Sequence, residues 1–195
     1  MPMKKEPGFA MLEVLISMLV ILFGVLGLAG MQMMVINNTE TARYQSVATM
    51  LASGMATEMQ ANVAYWGGIL VPPATITVTG STITGIPSSA GTSCLNSVCT
   101  ATQLAYYDLQ KWGAAMAGVA NADGVFYKGM ALPPPASGSS GTISCAATIP
   151  VVCTLTMYWS EKNIALSNAT GAESGVLATG TVQTHSYQTL VSIQQ

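Results

Sequence analysis

The sequence predicts an α+β fold in which one long N-terminal helix packs against an antiparallel β-sheet. Two observations predict the helix: an uncharged apolar stretch from Val14 to Ile36, and an apolar stripe at helical spacing that follows it. A third observation predicts the sheet. The chain beyond Gly68 contains short alternating runs, is rich in Thr, Ser and Gly, and holds all four cysteines. Its 195 residues suffice for one domain of ordinary size.

Charged residues make up only 7% of the chain, against about 25% in a typical soluble domain. Six basic and eight acidic side chains give a net charge of −2, and the only basic block is Lys4-Lys5. We therefore expect no nucleic-acid partner, since such binding needs a basic patch. Intrinsic disorder is also disfavoured, because disordered chains are rich in charge and poor in apolar residues. Low charge with positive mean hydropathy indicates a membrane segment or a surface covered by partners.

The apolar stretch from Val14 to Ile36 is long enough to cross a bilayer. Its 23 residues carry no charge, and only Ser17 and Gln32 are clearly polar. A helix rises about 1.5 Å per residue, so this stretch spans the roughly 30 Å hydrocarbon core. A buried core helix and a cleaved secretory signal are the alternatives. A secretory signal has a shorter apolar region, of about 7–15 residues, and ends in a small-residue site that residues 35–39 do not offer.

Flanking charges predict how this helix is oriented. Lys4 and Lys5 precede it and only Arg43 follows closely, so the positive-inside rule places the N-terminus in the cytoplasm. The chain beyond about residue 40 would then lie across the membrane. The cysteines agree with export to an oxidising compartment, because all of them fall beyond the helix and their number is even. They are Cys94, Cys99, Cys145 and Cys153.

One carboxylate lies at the mouth of the apolar segment. A carboxylate within a bilayer costs about 2.5–3.5 kcal/mol on insertion scales, so Glu13 is a functional candidate by default. The plain alternative is a side chain in the headgroup layer without a role. The context is Lys-Lys-Glu-Pro-Gly-Phe-Ala-Met-Leu-Glu over residues 4–13. A short basic leader ends in Gly8, the aromatic Phe9 follows, and Glu13 comes four positions later.

This segment resembles the type IV prepilin signal. The resemblance implies that residues 1–8 are a leader and that a prepilin peptidase cuts between Gly8 and Phe9. The same enzyme would methylate the new N-terminal Phe9, and Glu13 would be the fifth residue of the mature chain. Gly8 suits this role because it lets the scissile backbone enter the enzyme without a side chain.

Two residues depart from the usual prepilin pattern. Pro7 precedes the glycine, where a polar or basic residue is commoner, and Ala10 stands where Thr or Ser is usual. Neither departure alters Gly8, Phe9 or Glu13. A buried charge is tolerable when it is paired, so we expect Glu13 to neutralise the free amine of Phe9, in the same subunit or in a neighbouring one. Glu13 would then set subunit register during assembly.

The helix is predicted to continue beyond the membrane as an amphipathic second half. Apolar residues recur at steps of three or four along one face. They are Tyr44, Val47, Leu51, Met55, Met59, Val63 and Trp66. A helix from about Phe9 to Tyr65 would be roughly 85 Å long. The pilin resemblance implies a lollipop shape, with residues 9–36 as the transmembrane and assembly helix, residues 37–66 as the amphipathic half, and a globular head from residue 67.

Residues 67–195 are predicted to form a β-rich domain. Residues 69–93 indicate a weak strand pair or an ordered loop, and residues 101–117 a short helix. Thr142–Ile149 and Val151–Ser160 form a predicted hairpin, with Cys153, Leu155, Met157 and Trp159 on one face. Val176–Val182 and His185–Ile193 form a second predicted strand pair.

Four cysteines allow three pairings, of which we favour the local one. Cys94–Cys99 would close a tight loop, and Cys145–Cys153 would clamp the predicted hairpin. The rival is a zinc site, but the spacings are Cys-x4-Cys and Cys-x7-Cys with a single histidine, His185. We therefore expect no metal and no cofactor.

Three segments narrow the resemblance to the PilV-type minor pilins. Residues 99–112 contain Cys, then Gln-Leu-Ala, then Tyr-Asp-Leu and Trp. Leu-Ala-Gly-Met-Gln at residues 28–32 is similar to Leu-Ala-Gly-Leu-Gln of that group. Met-Ala-Thr-Glu-Met-Gln-Ala-Asn at residues 55–62 is similar to its Met-Ala-x-Arg-Met-Arg-Ala-Asn. Here Glu58 and Gln60 replace the two arginines, so any ion pair that those arginines make is absent.

The residues predict no enzyme, because no nucleophile motif, phosphate loop or paired-carboxylate site occurs. His185 stands alone, and a glycosylation sequon at Asn168 is a frequent chance match. Tyr106, Tyr107, Trp112 and Tyr127 could form an adhesive patch, but core packing is the commoner role of such residues.

Two classes of function remain. The resemblance implies a minor pilin that promotes initiation or assembly of type IV pili near the filament tip. The alternatives are a tip adhesin and a pseudopilin of type II secretion. Implied partners are the major and minor pilins, the prepilin peptidase and the inner-membrane assembly machinery. Implied locations are the bacterial inner membrane before assembly and the extracellular pilus afterwards.

Overall fold

A computed structural model describes residues 11–68, 75–88, 93–121, 123–125, 127, 130–135, 140–163 and 181–194. The predicted leader, Gly8 and Phe9 lie outside the described residues. The chain divides after Glu40 into an N-terminal unit and a second unit that begins at Thr41. The fold is α+β, with an apolar N-terminal helix and a five-stranded antiparallel sheet, which confirms the predicted fold class at this level.

The first helix, α1, spans Met11–Ala61, and a short helix α2 follows at Val63–Trp66. Asn62 separates the two with a non-helical backbone, although its N–H still donates to Glu58 O. The predicted single helix to Tyr65 is therefore interrupted once, near its end. Within the second unit the apolar stripe of α1 turns inward as predicted, and its central members Leu51, Met55 and Met59 are buried.

The sheet consists of β1 (Thr75–Thr79), β2 (Thr82–Thr84), β3 (Gly141–Ala146), β4 (Val151–Asn163) and β5 (Thr181–Ile193). Its order is β2-β1-β3-β4-β5, and every neighbouring pair is antiparallel. For residues 69–93 the sequence left open a weak strand pair or an ordered loop, and the structure shows the strand pair, β1 and β2. Alternation along β4 buries the predicted face, which comprises Cys153, Leu155, Met157 and Trp159.

One strand prediction was wrong. The sequence pattern predicted two strands in the C-terminal region, Val176–Val182 and His185–Ile193. The structure has one strand, β5, which pairs with β4 without a break from Asn163↔Thr181 to Val151↔Ile193. Residues 176–180 lie outside the described part of the chain. The polar residues between the two predicted strands, Gln183 and Thr184, continue the ladder because β-strands tolerate polar residues on a solvated face.

Helix α3 spans Ala101–Ala117, the predicted bounds. It begins in a capping box, since Thr100 Oγ1 accepts a hydrogen bond from the Gln103 N–H and Gln103 Oε1 accepts one from the Thr100 N–H. It ends at Gly118, whose φ of 66° is left-handed and favours glycine. Buried side chains of α1, α2, α3 and the sheet join in one core cluster, with Trp66, Leu109, Ile143 and Leu155 among its members.

Two disulfides join the cysteines in the local pairing that we favoured. Cys94 and Cys99 close a short loop before α3, with Cα atoms 5.6 Å apart. Cys145 and Cys153 are direct cross-strand neighbours on β3 and β4, with Cα atoms 3.9 Å apart. Each bridge therefore fastens the base of a loop or a turn.

Glycines permit α3 to lie close against the sheet. A Cβ atom at Gly113 would overlap the carbonyl oxygen of Gly80 and would come within 2.8 Å of Val78 Cγ1. Gly141 faces the ring of Trp112 in the same way. The space that these glycines leave is filled by the neighbouring backbone and ring, so the packing of α3 requires that both positions lack a side chain.

We expect Gly113→Ala to destabilise the second unit by about 1–3 kcal/mol, because the added methyl group would push α3 away from the β1–β2 turn. Gly54→Ala is the matched control. Gly54 is also helical, but a Cβ atom there would meet no other atom within 4 Å, so alanine should stabilise the helix by about 0.5–1 kcal/mol. Denaturant unfolding of the detergent-solubilised protein measures both. Equal stabilities of the two variants would contradict the close packing.

Candidate functional site

The first unit presents a helical surface that is apolar on every side. Its most apolar window runs from Met11 to Gln32, with a mean hydropathy of 2.6, and none of it is buried within the protein. A helix that is hydrophobic all round needs apolar surroundings, because water would solvate it poorly. By length and composition, these 22 residues can cross a membrane, since they extend about 33 Å as a helix.

Glu13 is the one charged residue in that window. It lies in the first turn of α1 and is exposed like its neighbours. Its backbone oxygen accepts a hydrogen bond from Ser17 Oγ at 2.7 Å. The structure thus places Glu13 at the start of the apolar helix, while its predicted partner, the amine of Phe9, falls outside the described residues.

In the second unit a charged cluster joins α1 to α3. Lys111 Nζ lies 2.7 Å from Glu58 Oε1 and 3.8 Å from Asp108 Oδ1. The same ammonium group is 5.7 Å from the centroid of the Tyr107 ring. Asp108 is buried, and its burial, with the nearby charge of Glu58, raises the pKa of its carboxyl group to about 6. Two carboxylates thus share one lysine across the helix pair.

A second buried carboxylate, that of Glu161, connects β4 to α1 at Thr41, the first residue of the second unit. Glu161 Oε1 accepts a hydrogen bond from Trp159 Nε1 at 2.6 Å, and Oε2 accepts one from Thr41 Oγ1 at 2.8 Å. His185 stands opposite Trp159 in the β4–β5 ladder, and its ring stacks on the indole. Its Nε2 atom is 3.7 Å from Glu161 Oε2. The Glu161 carboxylate is therefore surrounded by two neutral hydrogen-bond donors and a histidine ring.

The four aromatic residues proposed as an alternative adhesive patch are mostly interior. Tyr106, Tyr107 and Trp112 are buried, and Tyr127 is partly buried against the core. The Tyr107 hydroxyl donates a hydrogen bond to Asp123 Oδ2, which joins α3 to the loop that follows it. This favours the core-packing interpretation over an exposed patch. The sequon residue Asn168 lies outside the described residues.

Neither carboxylate cluster was predicted from the sequence. Glu161 could have been found, because it extends the alternating buried face of β4 by one step beyond Trp159. At Glu58 the sequence shows only that an arginine of the similar minor-pilin segment is replaced. The partner of Glu58, Lys111, lies 53 residues away, a separation that no local pattern reveals. Within the described ranges, no group of three or more His, Cys, Asp or Glu residues is arranged to hold a metal ion.

The raised pKa of Asp108 predicts a pH-dependent stability. A carboxyl group with a raised folded-state pKa stabilises the fold below its unfolded pKa, and this contribution is lost as the pH rises through about 6. Acidification from about pH 7 to about pH 5 should therefore stabilise the native protein by about 1 kcal/mol more than Asp108→Asn, which has no carboxyl group to protonate there. Parallel unfolding curves at both pH values measure the difference. An identical pH response of the two proteins would contradict the assignment.

The Thr41–Glu161 hydrogen bond should contribute measurably to stability. Thr41→Val removes the hydroxyl donor while it keeps the shape of the side chain, so a buried carboxylate loses one of its partners. We expect a loss of about 1–2 kcal/mol in the free energy of unfolding. Thr49→Val is the control, since Thr49 is exposed on the same helix and bonds only its own turn, at Ser46 O. Its change should stay within about 0.5 kcal/mol. A Thr41 variant as stable as this control would show that Glu161 does not depend on the hydroxyl.

Comparisons of the chain with protein-family models, with curated proteins and with solved structures gave no match. Any assignment of function therefore depends on the residues of this chain. Those residues combine an apolar helix that carries one carboxylate in its first turn with a disulfide-linked α+β unit.

Proposed function

We propose that the protein is a minor pilin, a structural subunit that promotes initiation or assembly of type IV pili near the filament tip. The position of Glu13 is the main support for this proposal. Glu13 is the one charge in an apolar window of 22 residues, and it stands five positions after Gly8, as the prepilin resemblance requires. A buried carboxylate that is costly in lipid is retained when it has a partner, and the new amine of Phe9 is the partner that cleavage supplies.

The second unit supports the same proposal. An α+β head with an apolar stripe of α1 in its core suits the lollipop architecture that the resemblance implies. In this proposal the apolar side chains of the window, exposed along its whole length, are covered by lipid before assembly and by neighbouring helices in the filament. The N-terminus is cytoplasmic before assembly, and the disulfide-linked unit is periplasmic.

N-terminal analysis of the mature protein tests the processing step. We expect a chain that begins at N-methylated Phe9, and Gly8→Leu should leave the leader attached, because the peptidase could no longer accept the residue before the cut. Mass spectrometry of the protein purified from its own host distinguishes the two forms. A mature chain that begins at any other residue would overturn the prepilin assignment.

Glu13→Gln tests the role of the charge after processing. The variant should accumulate in the inner membrane normally, since it is no less apolar than the native chain. Its incorporation into sheared pili should fall about tenfold, which corresponds to about 1.4 kcal/mol of lost pairing. Glu40→Gln is the control, because Glu40 lies on the same helix beyond the apolar window. Normal incorporation of the Glu13 variant would refute the register role, and recovery with a secretion complex instead of pili would identify a pseudopilin.

A second candidate role is adhesion, and one observation favours it. The most exposed large apolar side chains among the described residues of the second unit belong to its loops and outer sheet face, where no core residue covers them. Deletion of the gene, scored for surface pili and for adhesion, separates the two roles. Lost piliation supports assembly, whereas normal piliation with lost adhesion supports binding.

A further inference from the structure

We propose that one end of the second unit is a lipid-binding surface, which inserts uncharged aliphatic side chains into a zwitterionic bilayer. The surface consists of the Cys94–Cys99 loop and the β3–β4 turn at residues 147–150, here called the distal loops. The inference deepens the adhesion role and rests on that part of the proposed function. It names the surface that binds and the chemistry of its target.

The Cys94–Cys99 loop lies at the Asn62 end of the unit. Helix α3 runs antiparallel to α1, because the carbonyl oxygen of its first residue, Ala101, accepts a hydrogen bond from Asn62 Nδ2, while Lys111 reaches back to Glu58. The loop ends at Cys99, two residues before α3 begins. It therefore lies beside the last turn of α1, at the end of the unit opposite to Thr41.

The β3–β4 turn lies at the same end. Val152, just after the turn, pairs with Ser192 on β5. Ser192 and Gln194 line a cavity of about 420 Å³ together with Gln60, in the last turn of α1, and Val63, the first residue of α2. The other end of β4 is fixed at the opposite pole, where Glu161 bonds Thr41. Both distal loops thus belong to one pole of the unit.

Among the described residues of the second unit, those of this pole carry the greatest apolar exposure. Four large apolar side chains of the described part of the second unit are more exposed than all its others: Val98 at 102%, Ile149 at 80%, Leu190 at 71% and Leu95 at 65%. Three of them are on the distal loops. Leu190 lies three residues before the end of β5, which finishes opposite Val151. Side chains so exposed gain from transfer out of water.

The chemistry of the pole favours lipid over protein as the occupant. No residue of the segments 93–100, 146–151 and 190–194 is charged. The exposed side chains there are aliphatic, whereas the energetically dominant residues of protein interfaces are enriched in Trp, Tyr and Arg and poor in Leu and Val. A surface without cations also gains nothing from anionic headgroups. A neutral bilayer supplies the apolar phase that Leu95, Val98 and Ile149 can enter.

Both disulfides lie at the bases of the distal loops. Cys94–Cys99 closes one loop, and Cys145–Cys153 joins the strands that flank the other. A loop held at its base presents its apolar side chains in water with less conformational freedom, so less entropy is lost when it binds. The two bridges thus suit a surface that must stay exposed until it meets its target.

Vesicle binding by the full chain tests the proposal. The protein is inserted into nanodiscs through its apolar helix, and the nanodiscs are mixed with phosphatidylcholine vesicles, which are then floated on a density gradient. We expect co-flotation that is insensitive to salt. The double variant Val98→Ser/Ile149→Ser should bind about tenfold more weakly, because two aliphatic side chains no longer enter the bilayer. The control Val119→Ser/Val125→Ser, which alters two exposed valines outside the distal loops, should bind as the native chain does.

Three outcomes would overturn the proposal. They are the absence of native binding to phosphatidylcholine, an equal loss in the control variant, and binding that requires anionic lipid and fades with salt. A loss of cell adhesion in the distal-loop variant without any vesicle binding would assign the pole to a protein partner instead. Near-ultraviolet circular dichroism verifies that each variant is folded. Failure of the native chain to enter nanodiscs, or a mature chain that does not begin at Phe9, would count against the proposed function and not against the distal loops.

Discussion

The second unit depends on the burial of one apolar stripe of α1 in a core that it shares with the sheet. Leu51, Met55 and Met59 recur at every fourth residue, so they project from one side of the helix and enter the same cluster as Ile143 and Leu155. Burial of this stripe provides the largest favourable contribution to such a fold, since hydrophobic stabilisation grows with the apolar area removed from water. The sheet is antiparallel and can therefore bury one face against the helices while its other face stays in water.

The second unit has few charged residues, and some of them join different elements. Lys111 links α1 to α3 through Glu58, and Glu161 links β4 to α1 through Thr41. A buried carboxylate is costly unless donors surround it, so each of these contacts favours one register of the helix against its neighbours. At the opposite pole from Thr41, uncharged loops with disulfides at their bases replace charged contacts. Polar contacts thus help to join the elements near Thr41 and Lys111, whereas the distal loops are uncharged and carry exposed aliphatic side chains.

The sequence predicted the elements whose pattern is local. The bounds of α3 followed from the spacing of Leu104, Tyr107 and Trp112, because a helix of that length repeats its apolar residues every three or four positions. The alternation of β4 likewise identified its buried face. The division of β5 into two strands was wrong, because its threonine-rich, polar stretch gives no periodic signal, and its continuity comes from pairing with β4 along thirteen residues. Tertiary contacts override weak strand propensity in this way.

The sequence by itself determined the apolar window, its one carboxylate at Glu13, the helical stripe beyond it and the local pairing that we favoured for the cysteines. These depend on residue type and spacing along the chain, and the physics that acts on them is local. The tertiary structure decided which distant residues meet. It brought Lys111 to Glu58, Thr41 to Glu161, and the two disulfide-bound loops to one pole of the second unit. No local pattern encodes such contacts, because they arise only when the helices and the sheet bury their apolar faces together.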